Sequence, residues 1–153
     1  MTIGSVPATP AMKAAKAQAS PRVILIVDDE PDVLESFRDL LEQSLPGITI
    51  RTAASGAAAL TMLNDVDLIV ADYRMPEMDG IGLLSRCLVL RPEAKRILVT
   101  AFPGPVPELE NRARREAKVA SFVSKGLGPH ALVVAVRAVL FPADTLGAVA
   151  AHT

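Results

Sequence analysis

Tryptophan is absent and aromatic residues make up 3% of the 153 residues, so any packed interior has to be aliphatic, built from Val, Leu, Ile and Ala. One cysteine, Cys87, excludes an intrachain disulfide framework and a multi-cysteine metal site. Neither charge dominates: 16 Lys and Arg against 17 Asp and Glu give a net charge of −1, which argues against a whole-chain binder of polyanions. No apolar run reaches the roughly 18–20 residues of a membrane span. Residues 1–20 carry Lys13 and Lys16 with no apolar stretch behind them of the kind that makes a signal peptide. A cytoplasmic protein with no membrane partner is therefore the expectation. What the chain does have is a hydrophobic half, 50% of its residues, enough for one domain's core.

Residues 1–21 are rich in Ala, Pro, Ser and Thr and read as a flexible leader, with room for a frayed helical turn over 11–19. From Arg22 an alternation begins. Residues 23–27 (VILIV) are a continuous apolar run, ended by Asp28, Asp29, Glu30 and Pro31. Val33, Leu34, Phe37, Leu40, Leu41 and Leu45 then recur at helical spacing and stop at Pro46-Gly47. The same alternation repeats: strand 48–53, a small Ala-rich helix capped by Ser55 and running to about 64, strand 67–71, helix 80–90. Strand 96–100, helix 107–118, strand 120–124 and helix 129–140 complete five β-α units. Uniformly apolar strands suit a parallel sheet covered on both faces. After Leu140 only 13 residues follow, a short tail (141–153) too small for an output domain.

In an open parallel α/β sheet, ligands bind outside the carboxyl ends of the strands. Asp28 and Asp29 end the first strand, Asp72 the third and Thr100 the fourth, and Lys125 follows the fifth. Any one aspartate there is ordinarily a loop or capping residue. Five polar groups from separate strand ends are a different matter. Three close carboxylates repel one another unless a cation joins them, and hard oxygen ligands with open positions suit Mg²⁺.

Val27-Asp28-Asp29-Glu30-Pro31, the segment from Asp72 to Gly80 (DYRMPEMDG), Thr100-Ala101 and Phe122-Val123-Ser124-Lys125 together resemble the receiver domain of bacterial two-component response regulators. The resemblance runs from about Arg22 to Leu140. It implies an α/β flavodoxin-like fold, a doubly wound (βα)5 with strand order 2-1-3-4-5. It also implies that Asp72 is the phosphoacceptor, taking a phosphoryl group from a phosphohistidine on a sensor histidine kinase or histidine phosphotransfer protein. Asp29, Asp72 and the backbone carbonyl of Arg74 would ligate Mg²⁺ directly, with Asp28 acting through a water on the ion. Lys125 would pair with the phosphoryl group, Thr100 would reorient toward it, and Phe122 would follow into the space vacated, although Phe122 serves equally as core. Ala101 leaves room for the phosphoryl group. Such a domain signals through a downstream protein target and catalyses only its own phosphorylation and dephosphorylation.

Two features depart from the family pattern. The loop after Thr100 (AFPGPVP) holds three prolines, which delays the next helix to Pro107 and makes a stiff loop. Arg74 and Phe102 occupy positions flanking the acceptor, where a long cation and a bulky ring are expected to shield the phosphoryl group and lengthen its lifetime. Arg112, Arg114, Arg115 and Lys118 read as a solvated helix face rather than a nucleic-acid patch. The final helix is apolar nearly all round, so one side needs cover. The leader, the tail, a partner protein or a second copy (a homodimer through the fourth and fifth helices) would supply it. Cys87 reads as a small core or near-surface residue; His130 and His152 lack ligand spacing. Two competing readings are a receiver fragment of a larger DNA-binding regulator or hybrid kinase, and an aspartyl-phosphate phosphohydrolase, which needs a general acid and a cap that this sequence does not display.

Overall fold

The computed structural model describes residues 22–142; the expected leader and nearly all of the tail lie outside them. Five strands, β1 (Val23–Val27), β2 (Thr49–Ala53), β3 (Leu68–Asp72), β4 (Lys95–Thr100) and β5 (Ser121–Ser124), alternate with α1 (Pro31–Ser44), α2 (Gly56–Leu60), α3 (Gly80–Leu90), α4 (Pro107–Ala117) and α5 (His130–Leu140). A short 3₁₀ turn, Lys125–Leu127, sits between β5 and α5. All neighbours in the sheet are parallel and the order is β2-β1-β3-β4-β5, as the resemblance implied. The register sets Val27 beside Ala71 and Asp72 beside Val99, so the polar residues after these strands emerge along one edge.

Alternation along each strand sends successive side chains to opposite faces. Leu25, Val27, Ile69, Ala71 and Leu98 pack with Ile81, Leu83, Leu84 and Cys87 of α3 and Ala113 and Ala117 of α4. Ile24, Ile26, Leu68, Val70, Ile97 and Val99 pack on the other face with Leu34, Phe37 and Leu41 of α1 and Leu132, Val133, Val136 and Leu140 of α5. Both layers are aliphatic. Phe37 is the one buried phenylalanine among the described residues.

α2 ends at Leu60 instead of near Asn64. Thr61 and Met62 donate their N–H groups to Ala58 and Ala59, three residues back, and the Thr61 hydroxyl also bonds Ala58, which tightens and stops the helix. The Arg51 guanidinium of β2 takes the carbonyls of Met62 and Asn64. Asp65 then turns with φ +64°. Other boundaries differ from expectation by one residue or so.

Two charged residues brace the scaffold. The Asp67 carboxylate accepts from Val23 N–H at 2.8 Å, pinning the start of β1 to the approach to β3. Arg96, buried on β4, donates to the carbonyls of Ala117 (2.8 Å), Lys118 and Ala94. It thereby satisfies the end of α4, where Lys118 adopts a left-handed φ of +48°. The outward side of α5 is less apolar than its sequence suggested. Val134 is well exposed, but Arg137 and the small Ala138 make up much of the rest of that side.

Candidate functional site

β1 is buried throughout, and it delivers Asp28 to the sheet edge almost fully enclosed. Asp28 Oδ1 accepts from the Glu30 N–H at 2.9 Å, closing the turn that feeds Pro31 into the first turn of α1. Asp72 is the last residue of β3, also buried, and Asp29 is exposed. One carboxylate oxygen from each of the three lies within 4.8 Å of the others. Lys125 Nζ reaches across from the end of β5 to stand 3.0 Å from Asp28 Oδ2 and 3.1 Å from Asp72 Oδ1. Thus four side chains from three strand ends meet, as the strand-end reading expected.

Electrostatics single out Asp72. Burial first, and then the neighbouring charges of Asp28 and Asp29, push its pKa up to about 6, against the pull of Lys125. Burial works against the charge of Lys125, yet its two carboxylate partners outweigh it and raise its pKa. Asp28 Oδ2 is buried, and the Lys125 ammonium at 3.0 Å is its one partner among the described residues. Its ion pair with Lys125 leaves lone pairs undirected. Three carboxylates with an oxygen each within 4.8 Å of the others, faced by a single ammonium, form a hard-oxygen set that could hold a divalent cation. The residues present therefore fit Mg²⁺.

The approach to α3 is shaped around Asp72. Asp79 caps α3 through the Gly82 N–H at 2.8 Å. Glu77 has φ +70° at the centre of a tight turn closed by Met78 N–H to Pro76 C=O. A Cβ on Gly80 would lie 2.4 Å from the Asp72 carbonyl oxygen and 2.8 Å from Leu98 Cδ1, so glycine alone lets the helix start this close.

The remaining expected residues gather to one side. Thr100 is buried at the end of β4. It lines a cavity of about 290 Å³ together with Phe102, Pro103, Pro105, Leu109 and Phe122. The Arg74 guanidinium lies 5.7 Å from the Phe102 ring centroid, and Tyr73 packs tilted against the same ring at 6.2 Å. Ser124 Oγ donates to the Phe102 carbonyl and fastens the proline-rich loop to β5. α4 starts at Pro107 as expected, with Glu108 and Glu110 in its first turn and Arg114 and Arg115 in its last. Its arginines are engaged with acids: Arg112 with Asp79 (3.7 Å) and Glu116 (3.3 Å), Arg114 with Glu110 (3.5 Å), Arg115 with Glu116 (3.9 Å). Cys87 is fully buried, and burial pushes its thiol up to about 11, so it is core and not a nucleophile. His130 starts α5 exposed; His152 lies outside the described residues.

Sequence reading missed two contributors. Glu30 places Oε1 3.9 Å from Lys125 Nζ; it had counted only as part of the strand terminator. Ser124 had counted only as the end of the fifth strand and as part of the Phe122–Lys125 motif, and nothing in its type signalled the tether to Phe102.

Comparison with known proteins adds independent findings. The family model described as the response regulator receiver domain matches residues 24–137. The chain is 36% identical over 118 residues to the transcriptional regulatory protein GlrR of Escherichia coli (strain K12), covering 76% of this chain and 26% of GlrR. It is 32% identical over 100 residues to the response regulator receiver protein CpdR of Brucella abortus (strain 2308), covering 64% of this chain and 82% of CpdR. A solved receiver domain protein (CheY-like) from Methanospirillum hungatei JF-1 superposes with a TM-score of 0.72 at 27% identity, covering 82% of this chain and 98% of that one. The chain thus spans about a quarter of the length of GlrR and most of the length of CpdR.

Proposed function

The chain belongs to the response regulator receiver domain family, and from that premise we propose that it accepts a phosphoryl group on Asp72 from the phosphohistidine of a sensor kinase or phosphotransfer protein. The observation that carries the reading is the buried Asp72 carboxylate held 3.1 Å from Lys125 beside Asp28 and Asp29. An Asp72 carboxylate oxygen attacks phosphorus in line, the phosphorus–nitrogen bond breaks, and the imidazole leaves with the electron pair. Lys125 is fixed where its ammonium faces the incoming phosphoryl oxygens, and it remains to pair with the acyl phosphate. Asp29, Asp72 and the Arg74 carbonyl would hold Mg²⁺, with Asp28 acting through water on the ion, and the cation would neutralise negative charge at the phosphoryl group. Thr100 then turns to donate to a phosphoryl oxygen, and Phe122 moves toward the space it leaves. Arg74 and Phe102, stacked on each other, screen the phosphoryl group from water.

In this reading the protein is a signalling domain working in the cytoplasm, catalysing only its own phosphoryl gain and loss. Its output passes to a protein target or to a second copy through α4 and α5. The match to about a quarter of GlrR, a transcriptional regulatory protein, favours one further version, in which the same site controls a larger regulator.

Intact mass after incubation with acetyl phosphate and Mg²⁺ tests the assignment. Wild type gains one phosphate and Asp72→Asn gains none. Equal labelling of both overturns the choice of Asp72.

A further inference from the structure

Phe122 lines the cavity beside Thr100 yet leaves it unfilled, and its ring is engaged by a residue outside the cavity wall. The Arg114 guanidinium of α4 lies over that ring, Cζ 4.8 Å from the centroid. This is the shortest of the three such contacts among the described residues; the others are 5.7 Å and 6.0 Å. Glu110, one helical turn earlier, holds the same guanidinium at 3.5 Å. Arg114 is thus oriented by an acid and presented to the negative face of the ring, the arrangement in which a cation attracts an aromatic. The helix supplies the spacing, because residues four apart share a face.

We propose that Arg114 is a positioning residue for the aromatic switch: the Glu110–Arg114–Phe122 stack holds the ring out of the cavity and biases the domain toward its resting form. The inference deepens the phosphoacceptor reading and rests on it for its consequence, since a ring drawn into the cavity is what accompanies movement of Thr100. Two ring positions compete, and a contact made in only one of them shifts the population by its own free energy. At an exposed site such a contact is worth roughly two- to fivefold in an equilibrium constant, and Arg114 is 57% exposed. Removing it lowers the threshold for activation by about that factor.

The test compares wild type with Arg114→Met, which keeps an unbranched stem without charge, Arg114→Lys, which keeps the charge, and Arg115→Met. The last alters the charge equally at the neighbouring, more exposed position, which pairs only with Glu116 among the described residues. Beryllofluoride with Mg²⁺ serves as the phosphoryl mimic. Half-saturation is read from Tyr73, the single tyrosine of a chain without tryptophan, and the Phe122 ring is followed by ¹³C NMR among four phenylalanines. Arg114→Met should saturate at a two- to fivefold lower concentration, Arg114→Lys in between, and Arg115→Met as wild type. In unliganded Arg114→Met, the Phe122 signals should move toward their saturated positions. An Arg114→Met protein matching wild type in both measurements overturns the inference. If wild type binds no beryllofluoride, the phosphoacceptor reading fails, while the Phe122 signals of the unliganded proteins still decide whether Arg114 holds the ring.

Discussion

Asp72 carries an electrostatic cost that the fold imposes and a bound cation would relieve. Its pKa of about 6, against 3.8 for an ordinary aspartate, means that the folded state binds a proton the unfolded chain has already released between those values. Stability without metal is therefore full below about pH 4 and declines as pH rises through 6. Asp72→Asn removes the penalty, and in chelator at pH 7.5 it should be more stable than wild type by on the order of 2 kcal/mol. At pH 4 the advantage should vanish, a contrast that urea denaturation at the two pH values measures. Arg74 and Phe102 bear on how long the phosphoryl group survives. If their stacked pair screens the acyl phosphate, the Arg74→Asn, Phe102→Glu double variant loses its phosphate several-fold faster in a Mg²⁺-dependent decay assay. Wild type decaying as fast as the variant refutes the screening role. Of these residues, the acids and the lysine were legible because apolar strands end abruptly in them. The 5.7 Å stack was not, since it joins two loops that approach only after the sheet forms.

Elements divide in the same way. The strands and long helices could be read from period and punctuation, and Pro107 marked the start of α4 because proline suits a first helical turn. α2 was misjudged because its stop comes from Thr61 turning back on Ala58 and from Arg51 reaching over from another strand, neither of which leaves a periodic trace. The junction of β3 and α3 offers the sharpest test at this scale. Gly80→Ala drives a methyl group against the Asp72 carbonyl oxygen and Leu98 Cδ1, so the end of β3 or the start of α3 has to shift. We expect a loss of about 1–3 kcal/mol in urea unfolding, together with slower phosphorylation of Asp72, because the strand end moves. A variant as stable and as readily phosphorylated as wild type contradicts this packing account.

For the whole molecule, a metal held by the same acid cluster would be linked to folding. A cation that binds only the folded form at about 100 times its dissociation constant adds about 2.7 kcal/mol. Mg²⁺ should therefore raise the melting temperature of wild type by several degrees in scanning calorimetry, and Asp29→Asn should abolish most of that rise. Absence of a Mg²⁺ effect on wild type removes the cation from the site. Layering and topology were legible at this scale because the two faces of the sheet take alternate residues of each strand. The need to cover α5 was overstated from sequence, since small alanines and Arg137 occupy much of its outward side. A concentration series by sedimentation, with and without beryllofluoride, should show whether Val134 and its surroundings join two copies.

Arg96 carries a mechanical implication. By grasping the carbonyls of Ala117, Lys118 and Ala94, it fastens α4 at its far end, while the near end follows a loop of three separated prolines that the Ser124 side chain tethers at the Phe102 carbonyl. A helix moored in this way is expected to swing instead of sliding. Displacement grows with distance from the mooring and is greatest at Pro107, so a small event near Thr100 would be delivered outward as a change of angle.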